Sequence, residues 1–488
     1  MTVNLEVAEV AAREIRLGSI TGYQGTVKDL VEKSHSGCLR GRGRCFSQAS
    51  SCNSSTAQMY LSEIRDAVIV NHAPVGCAAD EVFNNQLNRI SEGFRGWTPR
   101  NINMLNTNLN KEDTVFGADD KLRATIREAR RRYDPKAIFV STSCVAAIIG
   151  EDVKRISEEM ERELGIPVAP VFCEGFKTKV WASGFDAAFH AILTHIVRPP
   201  EKKSNKVNIF QFHAKARAEI TEMFSHFGLE PVFMVAQCTV EELARMSEAA
   251  ASLAICGTLS TYIENALEEI YGVPVGRTLH PQGIAGIESW LRGLGEITGK
   301  EAEVEAYIAK ERAKALPEIE KLRKQLKGHT AVVGMGPGFA HDYVRVLGEL
   351  GVEVLFAASW HYDTRFDDGR IPDSAQQLYD DQNNIPISVC DQQSFEMLNV
   401  LNKLRPDIYI SRHGSTPGYC IKLGITCLSI TDEYDVFGYN GTINFGYKLL
   451  DAFANVSREK NMSKWLKLPY THWWMEQNGF SLLEKENK

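Results

Sequence analysis

Short runs of β-branched and aliphatic residues recur along the chain, and each leads into a stretch with one polar and one apolar helical face. Asp66–Asn71 (DAVIVN), Ala137–Ser141 (AIFVS) and Val168–Cys173 (VAPVFC) read as buried strands, while Asp119–Tyr133 and Glu151–Leu164 read as surface helices rich in Arg and Glu. A strand returned to its sheet through a helix lies parallel to its predecessor, so this alternation implies parallel sheets with helices on both faces. A polar, Pro-containing linker follows at Arg198–Asn205. A second unit opens with Val207–Phe212, contains the strand-like Ser252–Ile255 and continues into a helix over Thr258–Tyr271. A helical stretch over Glu301–Leu326 carries Pro317 as an expected kink or break. A third unit then starts at Thr330–Met335, followed by strands at Val352–Ala357 and Asp407–Ser411. At 488 residues the chain is too long for one simple core. The expected fold class is α/β, with three Rossmann-like parallel-sheet domains over 1–200, 201–327 and 328–488, the last including a C-terminal tail.

Composition narrows the function. Fifty-five Lys and Arg against 62 Asp and Glu give a net charge of −7, which argues against a general nucleic-acid binder. No apolar run approaches the roughly 18 to 20 residues of a membrane span, and the N-terminus lacks an apolar signal core, so a cytoplasmic protein is expected. No P-loop occurs, so this chain is not expected to hold the phosphates of ATP itself. Gly334-Met335-Gly336-Pro337-Gly338 departs from the dinucleotide fingerprint and reads as a tight strand-to-helix turn. The run Arg40-Gly41-Arg42-Gly43-Arg44 reads as a solvated arm.

Eleven cysteines then stand out, an odd number in a chain expected to meet a reducing compartment. Cys77, Cys144 and Cys256 each follow a strand, at the sheet edge where open α/β folds bind ligands. Helix N-termini there favour the thiolate that binds metal. Cys52 lies 25 residues before Cys77 in the Ser-rich, loop-like Ser47–Thr56. None of these spacings is the compact C-x-x-C of zinc sites. Long-range thiolates on separate loops suit an iron–sulfur cluster, and three of them need a fourth from elsewhere. Buried thiols are the competing explanation, and Cys173, Cys238, Cys390, Cys420 and Cys427 are assigned to it. Cys38 and Cys45 continue a seven-residue spacing into Cys52, either by coincidence or as alternative ligands.

His72-Ala73-Pro74-Val75-Gly76-Cys77, Ser143-Cys144 with Ile149-Gly150-Glu151-Asp152, and Cys173-Glu174-Gly175-Phe176 resemble the component 1 α-type chains of nitrogenase and its relatives. The likeness runs in order from about Cys52 to the C-terminal region, and that family has three Rossmann-like domains. It implies that Cys52, Cys77 and Cys144 ligate an electron-relay cluster, either an [8Fe-7S] P-cluster-like group or a [4Fe-4S] cubane, shared with a β-type partner in an α2β2 heterotetramer. It also implies that Cys256 holds one end of a larger iron–sulfur cofactor, with clusters in crevices between domains and subunits.

The departures from the family carry further expectations. The histidine ligand opposite the cofactor cysteine falls on Thr431 or Asp432, with Glu433 beside them. The glutamine and proton-donating histidine above the cofactor fall on Trp181 and Phe185. The homocitrate-binding lysine falls near Ser415, and an arginine after Cys77 falls near Asn85. The resemblance thus implies no dinitrogen reduction and no molybdenum–homocitrate centre. It leaves room for an all-iron, carbide-containing cofactor of the precursor type in a more apolar pocket. His341, His361 and His413 are candidate replacement ligands or acids, although solvated or hydrogen-bonded histidines are common. Trp465, Trp473 and Trp474 read as packing residues. Among the relatives, methylthio-alkane reductases best match this pattern. They cleave a small organosulfur substrate with electrons from a homodimeric, ATP-hydrolysing iron–sulfur reductase. A non-catalytic scaffold for cofactor maturation is the alternative that the resemblance implies.

Overall fold

The computed structural model describes residues 3–44, 51–211, 216–391, 393–412, 416–430 and 433–482. Strands and helices alternate through most of them, as the hydrophobic patterning requires. Three sheets result. A four-stranded sheet runs in the order Met104–Asn106, Ala67–His72, Ala137–Thr142, Val168–Val171, and a three-stranded sheet in the order Glu230–Val235, Lys206–Gln211, Ala251–Ala254. Both are parallel throughout. The third sheet runs Tyr23–Thr26, Pro386–Val389, Glu353–Ser359, Thr330–Met335, Ile408–Ser411, Thr426–Ser429. It is parallel except at one edge, where Tyr23–Thr26 pairs antiparallel with Pro386–Val389.

These elements form two compact units. One comprises Met1–Arg16, Ser51–Ile255 and Leu259–Gly276, and holds the two smaller sheets; the other comprises Leu17–Ser50, Cys256–Thr258 and Arg277–Lys488. In the first, the strand Ala67–His72 and its neighbour Ala137–Thr142 are buried along their whole length. Leu122, Ile126, Ile156 and Met160, from helices Asp119–Tyr133 and Val153–Leu164, pack against Val68, Val70, Ile138 and Val140. The opposite polar faces of those helices are tied by Arg–Glu pairs, such as the exposed Arg127–Glu163 and the half-buried Arg123–Glu159. Among the described residues no helix is long and apolar enough to cross a membrane.

Several expectations need correction. Helix Glu301–Leu326 is continuous through Pro317. The loop-like stretch around Cys52 ends earlier than expected, since Cys52 is the extended N-cap of the helix Asn53–Leu61. The Arg40–Arg44 run is solvated only in part: Arg40, Gly41 and Gly43 are exposed, but the Arg44 side chain is buried and forks onto Glu396, with Nε–Oε1 at 2.6 Å and Nη2–Oε2 at 3.1 Å. Trp474 packs on Tyr470 and Phe395, but Trp465 and Trp473 are exposed.

One close approach fixes the element that carries Cys52. Helix Ser183–His195 lies against helix Asn53–Leu61 at Gly184, where an added Cβ would stand 2.3 Å from the Asn53 carbonyl oxygen and 2.9 Å from the Ala57 nitrogen. Backbone atoms cannot yield as a flexible side chain can. Gly184→Ala should therefore cost about 1–3 kcal/mol through overpacking. Denaturant titration of the purified chain checks it, and unchanged stability would mean that the two helices separate freely.

Candidate metal centres

The first unit brings three of the expected cysteines together. Cys52 has extended backbone geometry as a helix cap, and its Sγ accepts the Ser55 amide at 3.3 Å. Cys77 lies in the 3-10 turn Val75–Ala78 that follows strand Ala67–His72, and Cys144 opens the short helix Cys144–Ile148 directly after strand Ala137–Thr142. Ser55 Oγ donates to Asp80 Oδ2 at 2.5 Å, which ties the Cys52 helix to the segment after Cys77. The fourth wall is the turn Gly175–Lys177. A Cβ at Gly175 would stand 3.2 Å from Cys52 Cβ, 3.6 Å from Cys144 Sγ and 3.8 Å from Cys52 Sγ. Glycine here leaves the space beside the two sulfurs open.

Beneath the cysteines lies a buried polar group that the sequence reading missed. Gln58 Nε2 lies 2.9 Å from Asn71 Oδ1, 3.1 Å from Ser141 Oγ and 2.9 Å from Ser54 Oγ. Asn71 Nδ2 in turn donates to the Cys77 carbonyl at 3.3 Å. His72, one residue on, is buried and bonds Glu151 through Nε2 and Thr107 Oγ1 through Nδ1. Isolated polar residues at strand ends are too common for sequence alone to single these out.

Charge also links the three thiols. Burial pushes the Cys77 thiol above its ordinary value, and the neighbouring Cys52 and Cys144 push it further. This reverses the expectation of a lowered thiol pKa for Cys77. Ionised thiols at this spacing repel one another, and either protonation or a bound cation relieves that repulsion. Among the described residues no three His, Cys, Asp or Glu side chains close on one point as ligands of a single ion do. The ligands of a multi-iron cluster bind different irons and need not converge. Around these loops, apolar side chains face solvent: Val75, Ile148 and Phe176 are each more than half exposed, as are Phe83 and Phe94 on helix Glu81–Phe94.

The second unit holds Cys256, which is buried. An added Cβ at Gly338, in the first turn of helix Pro337–Glu349, would lie 3.5 Å from Cys256 Sγ and 3.2 Å from His280 Cε1. The Gly334–Gly338 segment is thus the expected strand-to-helix turn, and it also leaves space facing a thiol. His280 Nε2 accepts the Gly257 amide at 2.6 Å, and its Nδ1 lies 2.7 Å from Asp342 Oδ2. Burial alone would raise the Asp342 pKa, but His280 and Arg345 outweigh it and hold the carboxyl below its usual range. Neither His280 nor Asp342 was singled out from sequence.

The other candidates are dispersed. Trp181 and Phe185 belong to the first unit, where their rings meet edge to face at 6.0 Å and Phe185 packs on Tyr60 at 5.5 Å. His341 is wholly buried against Tyr362, its Nδ1 3.3 Å from Ser374 Oγ, and burial depresses its pKa to about 4, so it is neutral at physiological pH. His361 is buried 3.9 Å from Asp363. Asn85 Oδ1 accepts the Ile102 amide. Cys173, Cys238, Cys390 and Cys420 are buried, with the Cys173 thiol raised to about 12 by desolvation; Cys427 is half-buried and Cys38 exposed. Thr431, Asp432, His413, Ser415 and Cys45 lie outside the described residues.

A model of the nitrogenase component 1 type oxidoreductase family matches residues 52–454. The chain belongs to this family. It is 30% identical over 356 residues to the nitrogenase molybdenum-iron protein alpha chain of Methanosarcina barkeri, covering 68% of this chain and only 62% of that one. It is 28% identical over 463 residues to the nitrogenase iron-molybdenum cofactor biosynthesis protein NifE of Methanococcus maripaludis, covering 90% of this chain and 88% of the relative. A solved structure of nitrogenase Cp1 superposes with a TM-score of 0.69 at 22% identity, over 89% of this chain and 94% of that one, which establishes the shared fold. Within this component 1 fold, all three thiols that face each other lie at strand or helix ends.

The electrostatics of the trio give a direct test. In the metal-free chain, alkylation of Cys77 by iodoacetamide should show its inflection above the pH of an ordinary thiol. Cys52→Ser or Cys144→Ser should move that inflection down by removing a neighbouring negative charge. A Cys77 profile that neither substitution moves would mean the three sulfurs do not sense one another.

Proposed function

We propose that this chain is the catalytic α-type subunit of a two-component, nitrogenase-like reductase that cleaves C–S bonds of small methylthio compounds in the cytoplasm. One observation carries the reading. The chain has two thiol sites of opposite character: a group of three cysteines among exposed apolar side chains, and a single buried cysteine facing a glycine turn.

In this reading Cys52, Cys77 and Cys144 hold a relay cluster, [8Fe-7S] or [4Fe-4S], whose remaining ligands come from a β-type partner in an α2β2 assembly. Exposed Val75, Ile148 and Phe176 beside those thiols are the apolar rim such a partner covers. Cys256 anchors a carbide-containing, all-iron sulfur cofactor, beside the turn at Gly338. Bound there, that cofactor supplies a site for reduction by single electrons, delivered from an ATP-hydrolysing iron–sulfur reductase homodimer. The overall change takes R–S–CH3, two electrons and two protons to R–H and methanethiol. By the family likeness Trp181 and Phe185 replace the glutamine and the proton-donating histidine, a change that would favour an apolar substrate. Thr431 and Asp432 stand where the family's second ligand would be, and a carboxyl at 432 is the nearest acid in sequence to that end.

A second reading is a scaffold on which the nitrogenase cofactor is assembled, and the extent of the likeness to the NifE relative favours it. One experiment separates the two. The chain, purified anaerobically with its natural partner, is given reductase, ATP and methylthio-ethanol. Methanethiol release that depends on ATP and is lost in Cys256→Ser is the expected result. No turnover, together with transfer of a cluster to apo-nitrogenase, would establish the scaffold instead.

A further inference from the structure

The buried pair beside Cys256 has no counterpart among the residues that the proposed function uses. The Gly257 amide, which directly follows the Cys256 peptide carbonyl, donates to His280 Nε2 at 2.6 Å. A backbone amide can only donate, so Nε2 must accept, and the ring proton sits on Nδ1, pointing at Asp342 Oδ2 2.7 Å away. The His280 ring is therefore held in one orientation by partners on both sides. Asp342 is fully buried and lies 3.1 Å from Arg345 Nη2, which also donates to the Gln282 carbonyl at 2.9 Å. Every member of this chain of contacts belongs to the second unit.

The geometry connects two walls of one space. Gly257 opens the helix after Cys256, while Asp342 and Gly338 share helix Pro337–Glu349. The imidazole bridges them, and Gly338 lets Cys256 Sγ and His280 Cε1 approach its backbone closely, since an added Cβ would stand 3.5 and 3.2 Å from them. Gly257 is constrained in the same way, since a Cβ there would lie 3.1 Å from His280 Nε2 and 3.0 Å from Phe366 Cζ. The ring, the thiol turn and the glycine turn are thus built against one another.

We propose that His280, oriented by Asp342, is a positioning residue for Cys256: it locks the peptide that carries the thiol to the helix that walls the cofactor space. The proposal rests on the assignment of Cys256 as an iron–sulfur ligand. Groups that orient a metal ligand at one remove are commonly worth about 10–100-fold in metal affinity. His280→Leu fills similar volume but cannot accept the Gly257 amide or donate to Asp342. His280→Gln offers a carbonyl oxygen to the amide and an N–H to the carboxylate.

The test uses the anaerobically purified complex, comparing wild type, Cys256→Ala, His280→Leu and His280→Gln. It follows chelator-driven iron release and the electron paramagnetic resonance signal that Cys256→Ala abolishes. His280→Leu should release the Cys256-dependent iron roughly 10–100-fold faster and broaden that signal, with His280→Gln restoring both towards wild type. Release and line shape unchanged in His280→Leu would overturn the positioning role. Iron and signal unchanged in Cys256→Ala would overturn the ligand assignment on which it rests. Should His280→Leu not fold, hydrogen–deuterium exchange in the wild-type chain still decides: the Gly257 amide should be strongly protected, and exchange at the rate of an open loop would refute the bond itself.

Discussion

The buried amide of Gln58 holds the three cysteine-bearing turns of the first unit together. Its two Nε2 protons are shared among three oxygens, on Ser54, Asn71 and Ser141. Asn71 and Ser141 are direct partners in the parallel pairing of their strands, and the next residues lead into the turns of Cys77 and Cys144. Gln58 itself lies on the helix that Cys52 caps. A slip of one residue between the strands would turn Asn71 or Ser141 to the opposite face of the sheet. It would leave buried polar atoms without partners, at a cost of about 1–3 kcal/mol each. The network thus fixes strand register, and register in turn fixes where the cysteines emerge.

That scaffold brings the three thiols close enough for Cys52 and Cys144 to act on Cys77. Burial, Cys52 and Cys144 all raise the Cys77 thiol, so the chain alone disfavours the fully ionised trio. Nearby basic groups do not change this: Lys177 pairs with Glu174 at 3.0 Å and with Glu9 at 2.5 Å. In the proposed reading, bound metal and folded structure would support each other, because iron would supply countercharge to the three thiolates.

How far the sequence foretold this differs between fold and site. Helix Asp119–Tyr133 and strand Thr330–Met335 have the expected bounds, because their periodicity is strong and their ends are marked. Edge strand Tyr23–Thr26 was not foreseen: four residues long, with a glycine inside, it is defined by its partner Pro386–Val389 rather than by its own pattern. The same holds for Pro317, whose helix persists because Val304, Ile308, Ala315, Ile319 and Leu322 keep one face buried on both sides of it. At the site, Cys52, Cys77 and Cys144 were legible through motifs that surround them. His280 and Asp342, 62 positions apart, were not, since neither lies in a pattern and only tertiary folding makes them neighbours.

The surroundings of Cys256 bear on whether a site of this kind keeps its cofactor or passes it on. A scaffold has to let its cluster go, and a pocket for that purpose gains from a ligand that can swing. An enzyme needs the opposite, because a displacement of about 1 Å at a reacting centre can cost 10²-fold in rate. Here the turn after Cys256 is pinned by an imidazole, the imidazole by a buried carboxylate, and the carboxylate by a buried arginine that also holds a backbone carbonyl. Loosening one member leaves the next with an unmet polar group in a low-dielectric interior, so the chain of contacts resists opening as a whole. In the proposed reading Thr431 or Asp432 takes the place of the family's second ligand, so retention would fall more heavily on the Cys256 end. A stiff anchor there is what a retained cofactor would require, and it weighs towards the catalytic reading over the scaffold.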